Sequence, residues 1–405
     1  LNIKMENKIV LKFGGSSVES IEKMQQIVQK IIRKKEKYQQ IVVVVSAMGK
    51  TTNQLLDLAK QASKSPSKRE MDMLISTGEQ VSISLLTMIL NEQGQPAIAL
   101  TGFQAGIKTA GLHTKNKILD IDTSKIEKHL DSGKVVVVAG FQGFNEDGDI
   151  TTLGRGGSDT TAVAIAAKLK CPAEIYTDVE GIYGVDPRLY PYAKKLDVIS
   201  YEEMKEMAFL GAKVMEPRSI EIGQKYGVVI YVSSSLTENG GTYIKEYKKV
   251  EEKSITGLSI SEKVMMVTIK NFPNHSSDIA ALFILLADNE VNVDMISQTP
   301  TENGYINLSF TASADDLDAI NEVLGLMGKK YHDIETVKNI NVVKLSVVGS
   351  GMRTQSGVAA DMFKLFADHN IDFMLVTTSE ISISYTIDKK LMKKAVLAIS
   401  EKFGL

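Results

Sequence analysis

The sequence contains few of the residues that build disulfides, metal centres and membrane spans. Among its 405 residues there are one cysteine, Cys171, and five histidines. A single cysteine excludes a disulfide framework within the chain and favours a reducing compartment, and the histidines are scattered without metal-ligand spacing. No apolar run reaches the ~18 residues that cross a bilayer, and the N-terminal stretch contains no signal-peptide core. We therefore expect a cytoplasmic protein with no membrane partner and no metal held by its own side chains.

An excess of charge of either sign is also missing. The chain has 47 Lys and Arg residues against 49 Asp and Glu residues, which gives a formal net charge of −2. This balance predicts no large basic face and gives no support to a nucleic-acid partner. A chain of 405 residues is too long for one hydrophobic core, so two or three domains are expected.

Two patterns of hydrophobic residues divide the chain. From residue 9 to about residue 232, short β-branched runs such as "IVVVVS" (41–46) and "VVVVAG" (135–140) alternate with longer helical stretches. Such runs are typical of strands buried on both faces. They predict an α/β domain with a mostly parallel sheet between helices, over residues 5–240. The polar stretch 237–254 marks its end.

A β-α-β-β-α pattern follows and occurs twice. We read it as two ferredoxin-like βαββαβ units over residues 263–340 and 341–405, produced by an internal duplication. In the second unit the pattern lacks a last strand, and the preceding segment "SITGLSIS" (254–261) could supply it. The sequence therefore predicts that the first unit is inserted within the second.

Two glycine-containing segments follow predicted strands. In "LKFGGSS" (11–17), Lys12 is followed by Gly14 and Gly15 at a turn into a helix, where backbone N–H groups and a lysine can bind a phosphate. A strand-to-helix turn that binds no phosphate would have the same sequence pattern. By contrast, "VVVVSAMGKTTN" only resembles a P-loop, because the position of the required second glycine is Val44.

The second glycine segment, "TTLGRGGSDTTAVA" (151–164), contains an arginine suited to bidentate binding of a carboxylate or phosphate. Ser158 and Asp159 occupy the position expected for an N-cap. A capped helix would explain Ser158 but leaves Arg155 without a packing role. Glu79, at the start of an apolar helix, is equally consistent with a solvated first-turn charge and with a ligand for an amino group.

Two further segments follow later strands. "YTDVEGIYGVDPR" (176–188) comes after an apolar strand, at the sheet edge where ligands bind in α/β folds. "FLGAKVMEP" (209–217) places a lysine, Lys213, next to a glycine.

Taken together, the motifs resemble those of the aspartate kinases in the amino-acid kinase superfamily. The family's order is kept by "KFGGSSV", "SAMGKTTNQL", "STGEQ", "AGFQG", "TTLGRGGSDTTA", "YTDVEGIYGVDPR" and "GAKVMEP". The doubled C-terminal unit resembles the paired ACT regulatory domains of that family. The resemblance implies an amino-acid kinase fold followed by two ACT domains.

The resemblance also assigns roles to individual residues. It implies that Lys12 and Asp159 are catalytic. The "VVVVSAMGKTTN" segment borders the amino-acid site, where Glu79 holds the α-amino group of L-aspartate and Arg155 its carboxylates. The implied nucleotide-binding residues are Lys12, Phe13, Gly14, Gly15, Ser46, Ser158, Thr177, Asp178, Tyr183, Gly184, Val185, Asp186, Pro187, Arg188 and Lys213. The implied substrate-binding residues are Lys50, Thr51, Thr52, Asn53, Gln54, Glu79, Arg155, Gly156, Gly157 and Ser158.

The ACT-like pair implies feedback regulation by L-lysine, L-threonine or both, and a homodimer or dimer of dimers. The candidate effector residues are Asn274, Ser277, Asp278, Ile279, Asp294, Gln298, Asp372, Phe373 and Ser379. The sequence departs from the family there, because Asn274 and Ser277 replace the acid and the glycine of an Asp-x-Pro-Gly turn. An exposed loop position explains His275 better than a pH-sensitive contact does.

The implied reaction transfers the γ-phosphoryl group of ATP to the β-carboxylate of L-aspartate, with Mg²⁺ held mainly through the ATP phosphates. The product, 4-phospho-L-aspartate, begins lysine, threonine and methionine biosynthesis. Glutamate 5-kinase, uridylate kinase and carbamate kinase share the fold, but the ACT-like units and "GRGGSDTTA" favour aspartate kinase. The alternative is a catalytically silent amino-acid sensor on a kinase-like scaffold, which would have no reason to retain Lys12, Glu79 and Arg155 together.

Overall fold

A computed structural model describes residues 7–212, 214–237, 239–247, 253–301 and 304–405. The chain forms two compact units. The first comprises Leu1–Ile182, Lys195–Phe209 and Lys213–Lys249, and the second comprises Tyr183–Lys194, Leu210–Ala212 and Val250–Leu405.

The first unit is built from alternating strands and helices. Its described strands are β1 (Lys8–Phe13), β2 (Gln40–Val45), β3 (Ala97–Leu100), β4 (Ile107–Ala110), β5 (Lys117–Ile121), β6 (Val135–Ala139), β7 (Gln142–Phe144), β8 (Ile150–Thr152), β9 (Ala173–Thr177), β10 (Val198–Ile199), β11 (Ile230–Ser234) and β12 (Thr242–Ile244). Its helices are α1 (Ile21–Lys35), α2 (Thr51–Ala62), α3 (Lys68–Ile75), α4 (Thr77–Glu92), α5 (Ser124–Asp131), α6 (Gly157–Leu169), α7 (Tyr201–Phe209) and α8 (Pro217–Tyr226).

Eight of these strands form the main sheet, in the order β10-β12-β11-β9-β1-β2-β6-β3. All neighbouring pairs are parallel except β11 and β12. The β-branched runs form the centre of this sheet because their side chains are buried on both faces. The predicted α/β domain with a mostly parallel sheet is confirmed.

Helices cover the central strands because each has an apolar side. Met24, Ile27 and Ile31 of α1 lie in one core cluster with Val43 and Val137 of the sheet. Helix α6 is buried along most of its length and packs against β1 and α8. Its first turn therefore lies beside the carboxyl end of β1.

A second, smaller sheet has the order β5-β4-β7-β8. The sequence analysis did not predict it, because its strands are only three to five residues long and contain no continuous apolar run. Strand β8 ends at Thr152, three residues before Arg155. The small sheet thus leads directly into the second glycine segment.

Helices α3 and α4 together form Lys68–Glu92, which is long and apolar enough to cross a membrane by length and mean hydropathy. Its serines, threonines and Glu79 interrupt the apolar run, which is why the sequence analysis did not predict it. Half of its most apolar window is buried inside the structure. Ile83, Leu86 and Leu90 belong to the core of the first unit, as in a core helix of a folded domain.

The second unit contains a six-stranded sheet and four α-helices among its described residues. The strands are β13 (Gly257–Pro273), β14 (Val293–Pro300), β15 (Tyr305–Ser313), β16 (Glu335–Val348), β17 (Phe373–Thr378) and β18 (Ser382–Asp388), in the order β14-β15-β13-β16-β18-β17. The helices are α9 (Ser276–Asp288), α10 (Leu317–Lys330), α11 (Val358–Asp368) and α12 (Met392–Phe403). Helices α9 and α10 cover one core cluster, and α11 and α12 cover another.

Two long antiparallel strands, β13 and β16, run through both halves of this unit. Gly257–Ser261 pairs with residues 344–348, whereas residues 264–270 pair with residues 335–342 and with β15. The sequence analysis divided the chain after the segment 254–261 and again between the units 263–340 and 341–405, so it expected two separate strands at each place. Each is instead one continuous strand with a register shift at the join, because the polar break in the pattern is a change of register and not a turn.

A buried ion pair crosses from one half of this unit to the other. Lys344 of β16 is buried, and its ammonium group binds the half-exposed carboxylate of Asp294 on β14. Asp294 was predicted to bind an effector, and its carboxylate is already engaged.

We expect Asp294→Asn to lower the free energy of unfolding of the second unit by about 1–3 kcal/mol, because a buried ammonium loses its charged partner. Chemical denaturation measures this change. Asp315→Asn, which removes the exposed partner of Lys263, is the matched control and should cost no more than about 1 kcal/mol. Equal losses in the two variants would contradict the role given to Lys344.

Candidate functional site

The carboxyl ends of β1 and β2 bring the first glycine turn and a buried lysine together. Lys12 is 8% exposed, and its Nζ atom lies 2.7 Å from Oδ1 of Asp159 in the first turn of α6. Because parallel strands end at the same edge of a sheet, this edge is where ligands bind in such folds. The structure therefore brings the two predicted catalytic residues into direct contact.

The Gly14–Gly15 turn packs tightly against the turn that follows β2. The Gly14 N–H donates to the carbonyl of Tyr176 at 3.2 Å, and the Gly49 N–H donates to the carbonyl of Gly15 at 3.0 Å. A Cβ on Gly15 would lie 2.9 Å from the carbonyl oxygen of Ala47, so no larger residue fits. The Gly49–Lys50 segment thus supports the glycine turn.

Glu79 lies on the other side of the same loop. It is 2% exposed, and its Oε1 accepts a hydrogen bond from the Ala47 N–H at 3.1 Å. Its Oε2 is buried and has no hydrogen-bond partner among the described residues. Burial raises the pKa of this carboxyl to about 8, opposed only in part by backbone hydrogen bonds. A buried carboxylate oxygen without a donor is suited to receive a cation, so the solvated first-turn interpretation of Glu79 is wrong.

The second glycine segment begins α6 two residues earlier than expected. The N-cap position is Gly156, with a φ of 64° and no side-chain capping bond, so the predicted capping role of Ser158 and Asp159 is wrong. Both side chains are instead buried within the first turn. A Cβ on Gly140 would lie 2.7 Å from Oγ of Ser158, which places the "AGFQG" segment directly against this turn.

Glu216 closes the other side of Gly156. A Cβ on Gly156 would lie 2.5 Å from Cβ of Glu216. Burial raises the pKa of the Glu216 carboxyl, and the Asp159 carboxylate adds to the rise while Arg218 opposes it. Arg155 is exposed next to this contact and has no hydrogen bond or ion pair to another described residue. Its guanidinium is available for an anionic ligand.

Other predicted residues lie at the start of α2 and at the end of β9. Lys50 and the first turn of α2 follow the β2 loop, with the hydroxyl of Thr51 donating to the carbonyl of Met48 at 2.7 Å. Thr177 ends β9, and its hydroxyl donates to the carboxylate of Asp178 at 3.0 Å. Lys213 lies outside the described residues.

Residues 183–188 belong to the second unit. The side chain of Val185 lies in a core cluster with Leu258 and Leu405, so the predicted contact with a nucleotide would have to come from its backbone groups. Asp186 forms an ion pair with Arg188 at 2.6 Å, and this interaction lowers the pKa of the Asp186 carboxyl.

The predicted effector residues are brought together only in part. Gln298 donates to Oδ1 of Asn274 at 3.3 Å. Asp278 accepts a hydrogen bond from the Tyr331 hydroxyl and forms an ion pair with Lys330 at 3.3 Å. Phe373 makes an edge-on contact with the Tyr385 ring, and Ser379 bonds to Ser382. Ile279 packs against the core that α9 and α10 cover, and the side chains of Ser277 and Asp372 have no hydrogen bond or ion pair to another described residue.

The sequence analysis missed two acidic residues, the part-buried Glu216 and the buried Asp72. Glu216 follows Lys213 within a motif that the resemblance had already marked. Asp72 is fully buried in α3, and the signal for it was a charged residue between apolar neighbours in "EMDMLI".

Comparison with known proteins matches the same two regions. Residues 7–234 match the amino acid kinase family and residues 345–403 match the ACT domain. An aspartokinase from Bacillus sp. (strain MGA3) is 48% identical, with 98% of this chain and 97% of that protein covered. A crystal structure of aspartate kinase from Synechocystis is 40% identical, covers 98% of this chain and 69% of that chain, and has a TM-score of 0.54. The structure of E. coli aspartokinase III in complex with aspartate and ADP has the same fold, with a TM-score of 0.80. It is 23% identical, and the match covers 98% of this chain and 100% of that chain.

The fold and the buried Lys12–Asp159 pair at its glycine turns therefore define an amino acid kinase with an ACT regulatory region. The sequence identity to aspartokinases extends over nearly the whole chain, so the chain belongs to the aspartokinase family.

Proposed function

We propose that this chain transfers the γ-phosphoryl group of ATP to the β-carboxylate of L-aspartate, giving 4-phospho-L-aspartate and ADP. The observation that supports it most is the buried Oε2 of Glu79, which has no partner among the described residues. It belongs to a carboxyl whose other oxygen is fixed by the loop that contacts the glycine turn. An ammonium group bound there would place the rest of an amino acid next to the phosphate-binding turn.

The nucleophile in this proposal needs no general base. A side-chain carboxylate with a pKa near 4 is already ionised at neutral pH. One β-carboxylate oxygen attacks the γ-phosphorus, the bond from that phosphorus to the bridging oxygen breaks, and ADP leaves with the electron pair. The obstacle is the approach of an anion to a polyanion, so catalysis depends on positioning and on charge neutralisation.

In this proposal Lys12 neutralises that charge. Asp159, 2.7 Å from its ammonium group, holds it beside the Gly14–Gly15 turn. A buried ion pair keeps the lysine oriented before the substrate arrives, and such preorganised groups contribute most in a site from which water is excluded. Arg155 would bind a carboxylate of the amino acid, which leaves Glu79 for its α-amino group.

Mg²⁺ in this proposal is held mainly by the phosphates of ATP. Within the described ranges, no cluster of three or more His, Cys, Asp or Glu side chains could hold a metal ion. When bound, the metal would neutralise phosphate charge and orient the γ-phosphoryl group. The nucleotide roles of Thr177, Asp178, Lys213 and residues 183–188 stay predictions.

The reaction can be tested by trapping the acyl phosphate with hydroxylamine. With ATP and Mg²⁺, we expect hydroxamate with L-aspartate, and none with L-glutamate or without an acceptor. Product with glutamate alone would overturn the proposed substrate. No product with any acceptor from folded protein would favour the sensor alternative.

We further propose that the second unit binds an amino-acid effector, L-lysine, L-threonine or both, and that the chain works as a homodimer or dimer of dimers. Two of its candidate carboxylates, Asp278 and Asp294, are already paired with Lys330 and Lys344. An effector ammonium group would have to compete with these lysines. Adding each amino acid to the trapping assay identifies the effector, and unchanged activity with both would contradict this part of the proposal.

A further inference from the structure

Asp72 has an unusual set of partners for a residue outside the site described above. Its side chain is fully buried in α3. The Thr114 N–H lies 3.0 Å from both carboxylate oxygens, and the Thr152 hydroxyl donates to Oδ1 at 2.5 Å. His113 Nδ1 lies 2.8 Å from Oδ2 and donates when that nitrogen carries its hydrogen. Three donors from two distant segments thus converge on one buried carboxylate.

Each of these segments leads to the proposed amino-acid site. Thr152 is the last residue of β8, three positions before Arg155. Thr114 has a φ of 72°, a left-handed conformation that costs a residue with a Cβ and persists where its surroundings impose it. A Cβ on Gly154 would lie 3.1 Å from the carbonyl oxygen of Thr114. The Asp72 carboxylate therefore fixes strand β8, which precedes Arg155, and the loop at Thr114, which packs against Gly154.

The helix that contains Asp72 leads to the other half of the site. Helix α3 passes through Ser76 into α4, in whose first turn Glu79 lies, seven residues after Asp72. The Gln142 side chain donates to the carbonyl of Ser76 at 2.8 Å, which ties this joint to β7 of the small sheet. Asp72 thus connects the element that places Glu79 with the element that places Arg155.

We propose that Asp72 is a positioning residue that sets the distance and orientation between Glu79 and Arg155, and with them the binding of the amino-acid substrate. This inference rests on the proposed function. Charge-assisted hydrogen bonds are stronger and more directional than neutral ones, so one carboxylate can hold both elements in a single arrangement. Lys12 lies on β1 and the glycine turn directly follows that strand. Asp72 bonds to neither, so nucleotide binding should not depend on it.

The test compares two neighbouring threonines of β8. Thr152→Val removes a hydrogen bond to Asp72, whereas Thr151→Val removes the buried hydrogen bond between Thr151 and Thr109 at 2.6 Å. Both variants lose one buried hydroxyl from the same strand, so they should lose similar stability. In the hydroxamate assay we expect Thr152→Val to raise the KM for L-aspartate about tenfold, since small misplacements in a site are costly. Its KM for ATP should stay within about twofold of wild type, and Thr151→Val should change neither value.

Asp72→Asn and His113→Asn extend the series. We expect the first to raise the KM for L-aspartate more than Thr152→Val does, and the second to raise it less because the His113 side chain is itself part-exposed. Equal KM values for L-aspartate in Thr151→Val and Thr152→Val would overturn the positioning role. Wild-type protein that forms no hydroxamate with aspartate would overturn the proposed function, and the inference with it.

Discussion

Replacing Lys12 with alanine is expected to lower kcat by about 10²- to 10³-fold, the scale for losing one preorganised electrostatic group. The lysine is buried against Asp159 at the glycine turn, so a solvent molecule would not reproduce its fixed charge. The loss should be confined to the chemical step, because Glu79 and Arg155 still bind the amino acid. Steady-state hydroxamate or coupled ADP assays give kcat and both KM values.

Lys8→Ala is the matched control for this variant. Lys8 begins the same strand and contacts Glu127 at 3.4 Å with 29% of its side chain exposed. We expect its kcat to equal that of wild type. Because Lys12→Ala leaves Asp159 buried without its cation, its folded fraction must be measured by thermal unfolding. A folded Lys12→Ala protein with unchanged kcat would remove Lys12 from the mechanism.

Glu79→Gln is expected to raise the KM for L-aspartate by about tenfold to 100-fold, which corresponds to losing a hydrogen bond between charged groups. In wild type, the pKa of Glu79 is raised to about 8 by burial, so the carboxyl is mostly protonated at pH 7 and must ionise to bind an ammonium group. Affinity for aspartate should therefore rise as the pH is raised toward 8, by up to about tenfold per pH unit. Binding at pH 7 should release about one proton.

Calorimetry in two buffers of different ionisation enthalpy measures that proton release, and Glu79→Gln should show none. The same pKa governs stability without substrate. Between the ordinary value of 4.5 and about 8, the folded protein binds more protons than the unfolded chain, so the free energy of unfolding falls as pH rises. Glu79→Gln should lack this decline. A wild-type KM for aspartate that does not change between pH 6 and pH 8 would contradict the proposed role of Glu79.

The parts of the fold that the sequence predicted are those with strong local signals. The apolar runs 41–46 and 135–140 form strands β2 and β6 of the main sheet, because such runs have few other ways to be buried. The long strands of the second unit could not be predicted from local pattern. Glu262 and Lys263 are exposed charged residues that interrupt the apolar pattern of β13. A turn between two strands and a register shift within one strand both produce such a polar break, so the sequence does not distinguish them.

Motif resemblance proposed the residues of the candidate site, but it could not supply the environment of each residue. The Lys12–Asp159 contact joins residues far apart in the chain, and the capping role of Ser158 was wrong because Gly156 begins the helix earlier. The unpartnered oxygen of Glu79 and the donors around Asp72 depend on tertiary packing alone. Neither burial nor hydrogen bonding across such distances has a local sequence signal.

The continuous strands β13 and β16 impose an order on folding. Residues 257–261 and 344–348 are separated by more than 80 positions, so their direct encounter carries a large loop-closure entropy. Folding of the intervening half brings residues 264–270 and 335–342 together first, which leaves the outer segments as short extensions of an existing ladder. The second half of the unit is then expected to form after the first, and a cut between the two halves would leave neither with a complete sheet.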